Sequence, residues 1–171
     1  MLFRSTAIGI DEAGINDDRD MLQEMRMVLN AHRVPGMNEA DVPTPAQVLR
    51  MATIGGARTT PFATKIGTLE VGKAADLVLI DASQIETPYL DPEMPLLHAL
   101  VHRAKAGHVL LTMCNGEVIY EQGRFTRVDR EAALTALGQD LRKALADDEV
   151  ERRGLSKADR KSTRLNSSHR T

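Results

Sequence analysis

Three features of the 171-residue sequence predict an α/β fold: a short apolar strand followed by a helical pattern near the start, a continuous apolar run at Leu77–Ile80 between glycine-bearing turns, and an Asn-Gly turn joining two further apolar runs. At 42% hydrophobic residues, the chain can bury a core of ordinary size.

The elements follow in order. Thr6-Ala-Ile-Gly-Ile10 reads as a short buried strand, ended by Asp11-Glu12-Ala13-Gly14 and the polar loop Asn16-Asp17-Asp18. A helix follows, with Asp17 or Asp18 as its cap, Asp20 in its first turn, and Met21, Leu22, Met25, Val28 and Leu29 at helical spacing. The stretch from Val34-Pro35-Gly36 to Val42-Pro43 is a loop. Thr44 then caps a helix with Pro45 at its first position; Val48, Leu49, Met51 and Ala52 form the apolar face, and Gly55-Gly56 stops it. From Gly67 to Asp81 the sequence predicts a hairpin. The glycines Gly67 and Gly72 bracket its first strand, and Leu77, Val78, Leu79 and Ile80 form a strand buried on both faces. A passage with Pro88, Pro92 and Pro95 leads to a short helix from Leu96 to Lys105. Val109 to Met113 and Glu117 to Tyr120 pair around Cys114-Asn115-Gly116, closed by Gly123-Arg124-Phe125. Asp129 caps a last helix carrying Ala132, Leu134, Leu137, Leu141 and Leu145, with Arg142 and Lys143 toward its C-terminal half. There is no internal repeat.

Residues Asp159 to His169 (Asp-Arg-Lys-Ser-Thr-Arg-Leu-Asn-Ser-Ser-His) read as the translation of a common sequencing-library adapter. One codon choice reproduces it without a break, so residues 159–171 are set aside as a disordered, adapter-derived tail. A natural basic tail is the alternative. Setting it aside removes four basic residues and one acidic one, leaving 18 against 23 and a net charge of −5 in place of −2. That balance gives no electrostatic case for nucleic acid or an anionic membrane, and no apolar run approaches the roughly 20 residues of a bilayer span. The single cysteine, Cys114, excludes an intrachain disulfide, and Met1 to Ser5 lacks the pattern of a secretion signal. A soluble, cytoplasmic protein is the expectation.

The segment Gly67-Thr-Leu-Glu-Val-Gly72-Lys-Ala-Ala-Asp-Leu-Val78 resembles the Gly-x-Leu-x-x-Gly-x-x-Ala-Asp-Leu-Val motif of the amidohydrolase superfamily. Such enzymes carry it where the chain leaves the catalytic barrel for a β-sandwich. Two further segments are similar to the family in the same order. Ala7-Ile-Gly-Ile-Asp11 with Asp20-Met21-x-x-Glu24-Met25-Arg26 is one, and the Asn115-Gly116 hairpin is the other, so the resemblance covers Thr6 to Leu137. It points to the branch of cytosine deaminases, chlorohydrolases and methylthioadenosine/adenosylhomocysteine deaminases. A whole (β/α)8 barrel takes about 250 residues and does not fit. The resemblance therefore implies an α/β fragment: the last βα unit or units of a metal-dependent barrel, β-sandwich strands and a C-terminal helix. The implied divisions are residues 1–60 for the barrel remnant, 61–126 for the C-terminal part of a composite sandwich with a short helix, and 127–158 for the last helix.

Asp11 is the foremost site candidate, because a carboxylate just past a buried strand lies at the rim where barrel enzymes build their sites. Capping of a turn or of the following helix is the structural alternative. The resemblance assigns Asp11 as a metal ligand and proton acceptor. It implies a divalent metal, zinc with iron as alternative, whose bound hydroxide attacks a small-molecule substrate, with deamination of an N-heterocycle foremost. Many relatives have Thr-Asp-Gly where this chain has Ile10-Asp11-Glu12. Glu12, Asn16 and Asp17 are candidates for substrate contact, against a solvated loop for Glu12 and helix capping for Asn16 and Asp17. One carboxylate does not hold zinc, which takes three protein ligands at catalytic sites, and the family's histidines have no counterpart between Met1 and Asp11. The chain alone is expected to be inactive. Two other readings remain open at this point: a non-catalytic α+β interaction module, and a cyclic-amidase or deacetylase branch of the same superfamily. A homo-oligomer is compatible with either.

Three further features are assigned to packing or surface. His98 and His102 have a metal-pair spacing, but Ala99-Leu100-Val101 packs between them and no Glu follows His98. His32 and His108 read as surface or loop residues, and Met21, Met25 and Met27 as packing residues. Cys114 reads as an inert buried thiol.

Overall fold

The computed structural model describes residues 6–11, 18–143, 149–151 and 154. The chain divides into two compact units, Met1–Arg127 and Val128–Thr171.

In the first unit, helix α1 (Met21–Ala31) begins at Asp20, whose side chain accepts from the Leu22 amide. The cap is therefore Asp20, and neither Asp17 nor Asp18. Asp20 directly precedes the first apolar residue of the periodic run, where a cap must sit to reach the orphan amides. Asp18 instead accepts from the Asp20 amide at 3.1 Å. Helix α2 (Pro45–Arg50) starts with a full capping box, Thr44 accepting from the Gln47 amide while the Gln47 side chain accepts from the Thr44 amide. Gly55-Gly56 does not stop it. The helical path runs on through a π-helical turn, Met51–Gly55, into α3 (Gly56–Arg58). Both glycines hold helical φ and ψ, because the packed chain around them outweighs their intrinsic cost of about 1 kcal/mol each.

Helices α4 (Ala82–Glu86) and α5 (Leu96–Arg103) complete the helical part. Leu29, Val48 and Val101 are wholly buried and, with Met25, join α1, α2 and α5 in one cluster. Ile85, Ala99 and Ala104 form a second cluster that shares Leu22 and Leu100 with the first. Arg103 locks this corner by donating to the carbonyls of Ile85 at 3.1 Å and Tyr89 at 2.9 Å.

The sheet is an antiparallel meander of β1 (Leu77–Ile80), β2 (Val109–Cys114), β3 (Glu117–Glu121) and β4 (Arg124–Phe125), in that order. Asn115 and Gly116 both take positive φ, 50° and 83°, as the tight β2–β3 turn requires. Thr112 pairs with Tyr120, and the Tyr120 ring meets Phe125 edge to face at 5.2 Å.

Two expected strands differ. Residues 6–10 form no strand, and the Ile8 amide donates to the Met51 carbonyl at 3.4 Å. A strand is defined by its ladder, and among the described residues the one sheet does not include residues 6–10. Likewise Gly67 to Gly72 is a turn region and not a strand, with Leu69 and Val71 exposed. The strand Leu77–Ile80 pairs with β2 at a sheet edge, and its adjacent residues Val78 and Leu79 are each 52% exposed. Neighbouring strand residues face opposite ways, so both faces of β1 are partly open, against the expectation of full burial. Among the described residues there is one sheet, and no second sheet covers it.

The second unit contains α6 (Arg130–Asp140), capped by Asp129 accepting from the Ala132 amide. None of its residues is buried. Arg142 and Lys143 lie beyond its end, and Leu145 is outside the described residues.

Candidate active site

Asp11 stands exposed at the end of the described segment 6–11. Two contacts fix that segment: the Ile8 amide donates to Met51, and the Ile8 side chain packs on the cluster of Met25, Leu29, Val48 and Val101. The carboxylate is therefore held three residues beyond a point anchored in the core. Glu12, Asn16 and Asp17 lie outside the described residues.

The chain then enters α1 through Arg19, a non-glycine residue with φ of 49°, a conformation that carries strain. Asp20 secures the entry. Its Oδ1 accepts from Leu22 at 2.9 Å and its Oδ2 from the Ala106 amide at 3.1 Å, so the start of α1 is tied to the turn before β2. Beside it opens an apolar groove of about 710 Å³ between the helices and the sheet, with Met25, Leu49, Leu77 and Val109 in its wall. Asp11 does not line this groove.

The remaining chemical candidates are dispersed. His98 and His102 are exposed on α5, with Ala99 and Val101 wholly buried between them, as the packing reading expects. Partial burial, then the positive charges of Arg33, His98, Arg26 and Arg103, hold the His102 imidazole below its ordinary value. Such surroundings repel a metal cation. His32 is exposed, its Nδ1 within 2.8 Å of the Val28 carbonyl, whereas His108 is only half-buried with Nδ1 enclosed. Met25 packs in the core, but Met27 is half exposed. Cys114 is exposed, contrary to the expected buried thiol, because it ends β2 beside the turn, and among the described residues no second sheet covers it.

Among the described residues, no group of three His, Cys, Asp or Glu side chains could hold a metal ion. Asp11 alone falls short of the three protein ligands of a catalytic zinc site, so these residues do not fit a complete metal site. Sequence reasoning does not single out Gly55, because a Gly-Gly pair inside a helical pattern signals a helix stop.

Residues 4–119 match the amidohydrolase family profile. The chain belongs to the amidohydrolase family. Within this family it is 37% identical over 126 residues to a 5-methylthioadenosine/S-adenosylhomocysteine deaminase of Desulfovibrio desulfuricans, covering 74% of this chain and 28% of that protein. An S-triazine hydrolase of Gordonia rubripertincta is 32% identical over 148 residues, covering 86% and 28%. Among solved structures, the zinc-bound adenosine deaminase of Xanthomonas campestris is similar with a TM-score of 0.69 at 36% identity, covering 80% of this chain and 30% of that one. The zinc complex of atrazine chlorohydrolase from Arthrobacter aurescens gives 0.63 at 26%, covering 79% and 29%. The chain thus spans under a third of the length of these relatives. No described helix is long and apolar enough to cross a membrane.

Proposed function

We propose that this chain is the C-terminal part of a metal-dependent hydrolase that cleaves C–N bonds other than peptide bonds, most specifically by deaminating a nitrogen heterocycle such as an adenine nucleoside. The observation that carries the reading is the match to deaminases over three quarters of this chain, confined to 28% of the relative's length. The chain's own contribution is Asp11, presented on a segment anchored in the core. Residues 1–60 form the barrel remnant in this reading, and residues 61–126 the C-terminal part of a composite sandwich.

A divalent metal, zinc before iron, would supply the reaction with a water of near-neutral pKa. Asp11 would be one of the residues holding such a metal, and its carboxylate would serve as the acceptor and donor of a proton. The remaining ligands come from polypeptide outside this sequence, so the chain alone neither retains zinc tightly nor turns over substrate. In this reading Glu12, Asn16 and Asp17 are assigned to substrate contact.

The test joins this chain to the N-terminal portion of the Desulfovibrio relative and measures bound zinc and ammonia release from 5-methylthioadenosine. Bound zinc with turnover in the joined protein, and neither in the chain alone, is the expected result. Zinc-dependent turnover by the chain alone would overturn the reading of it as an incomplete site.

A further inference from the structure

We propose that the π-helical turn Met51–Gly55 is a seat for the segment bearing Asp11, and that Gly55 is the positioning residue that clears the space for it. The catalytic part of this inference rests on the reading of Asp11 given above. A Cβ placed on Gly55 would lie 2.5 Å from the Thr6 carbonyl oxygen and 3.3 Å from the Ala7 Cα. Both are backbone atoms, so no change of rotamer relieves the contact. Gly55 has φ −59° and ψ −51°, values open to any residue, so its own backbone conformation does not demand glycine. The close approach of residues 6–7 does.

The π turn also supplies the hydrogen bond. Its Met51 carbonyl receives the Gly56 amide that closes the turn and the Ile8 amide that docks the segment. From another side the turn is clasped by Gly67, where a Cβ would come within 2.7 Å of the Ala57 Cβ and 3.4 Å of the Ile54 Cα. Ile8 in the core, Met51 at the backbone and Gly55 in the clearance thus set the position from which Asp11 extends. π turns inside α-helices are frequent at functional sites, and here the turn has an occupant.

Relieving a 2.5 Å contact to an ordinary separation of about 3.5 Å moves the segment by roughly 1 Å. A misplacement of that size can cost about 10²-fold in rate.

Gly56 provides the control. It has equally helical φ −57° and ψ −45°, but a Cβ there meets nothing within 4 Å. Both Gly→Ala changes raise helix propensity equally, so only the seat separates them. In this chain, Gly55→Ala is expected to lower hydrogen-exchange protection of the Ile8 amide by about tenfold or more, while Gly56→Ala leaves it unchanged. Failure of Gly55→Ala to fold, with Gly56→Ala folded, supports the seat equally. Unchanged Ile8 protection in Gly55→Ala overturns it. In the joined full-length enzyme, Gly55→Ala is expected to lower kcat by about 10²-fold with KM within about twofold and zinc content retained. Wild-type kcat in Gly55→Ala, where Asp11→Ala is inactive, overturns the positioning role alone. Full activity of Asp11→Ala overturns the reading of Asp11, while Ile8 protection still decides the seat.

Discussion

Asp20 uses both carboxylate oxygens, one for the first turn of α1 and one for the amide of Ala106, 86 residues away. Asp20→Ala removes a helix cap and a tertiary tie together, and is expected to cost about 1–2 kcal/mol in urea unfolding. His102 responds to pH in a defined direction. Its folded pKa is lowered, so near and below its ordinary value of about 6.5 the unfolded chain binds more protons than the folded one. Stability is therefore expected to fall as pH drops through that range, with Arg33, His98, Arg26 and Arg103 facing the ring. His102→Gln should flatten this part of the pH profile; an unaltered profile would refute it. At this scale the sequence was legible where local chemistry decides, as at Thr44 and Asp129. It was not legible for Cys114, whose exposure depends on what covers a sheet.

The helices depend on burial more than on propensity. Leu29 is wholly buried between α1, α2 and α5, so Leu29→Ala should cost about 2–5 kcal/mol in the same unfolding experiment. Val78, half exposed on β1, gives the contrast: Val78→Thr should change stability by no more than about 0.5 kcal/mol. Helices α1 and α2 and the Asn115-Gly116 hairpin were readable because periodicity, caps and turn residues are local signals. Residues 6–10 and Gly67 to Gly72 carry strand-like composition, but a strand needs a neighbour, and composition does not say whether one is present. The path through Gly55-Gly56 escaped for the related reason that the packing around a helix, here residues 6–7 and Gly67, overrides the local cost of glycine.

At the scale of the molecule, an open groove, one sheet among the described residues with both faces of β1 partly bare, and the exposed Asp11 share one explanation under the proposed function. In the proposed reading, each is a surface or a site that the rest of an amidohydrolase would complete. Family membership was legible in the sequence, whereas the contacts that hold residues 6–8 needed the fold. The most direct measurement is ammonia release from 5-methylthioadenosine by the joined full-length protein and its Asp11→Ala variant, with folding of both confirmed by circular dichroism. A loss of about 10²-fold to 10⁴-fold in kcat is expected, the range for removing a positioned proton acceptor. Equal turnover by the two proteins would contradict it.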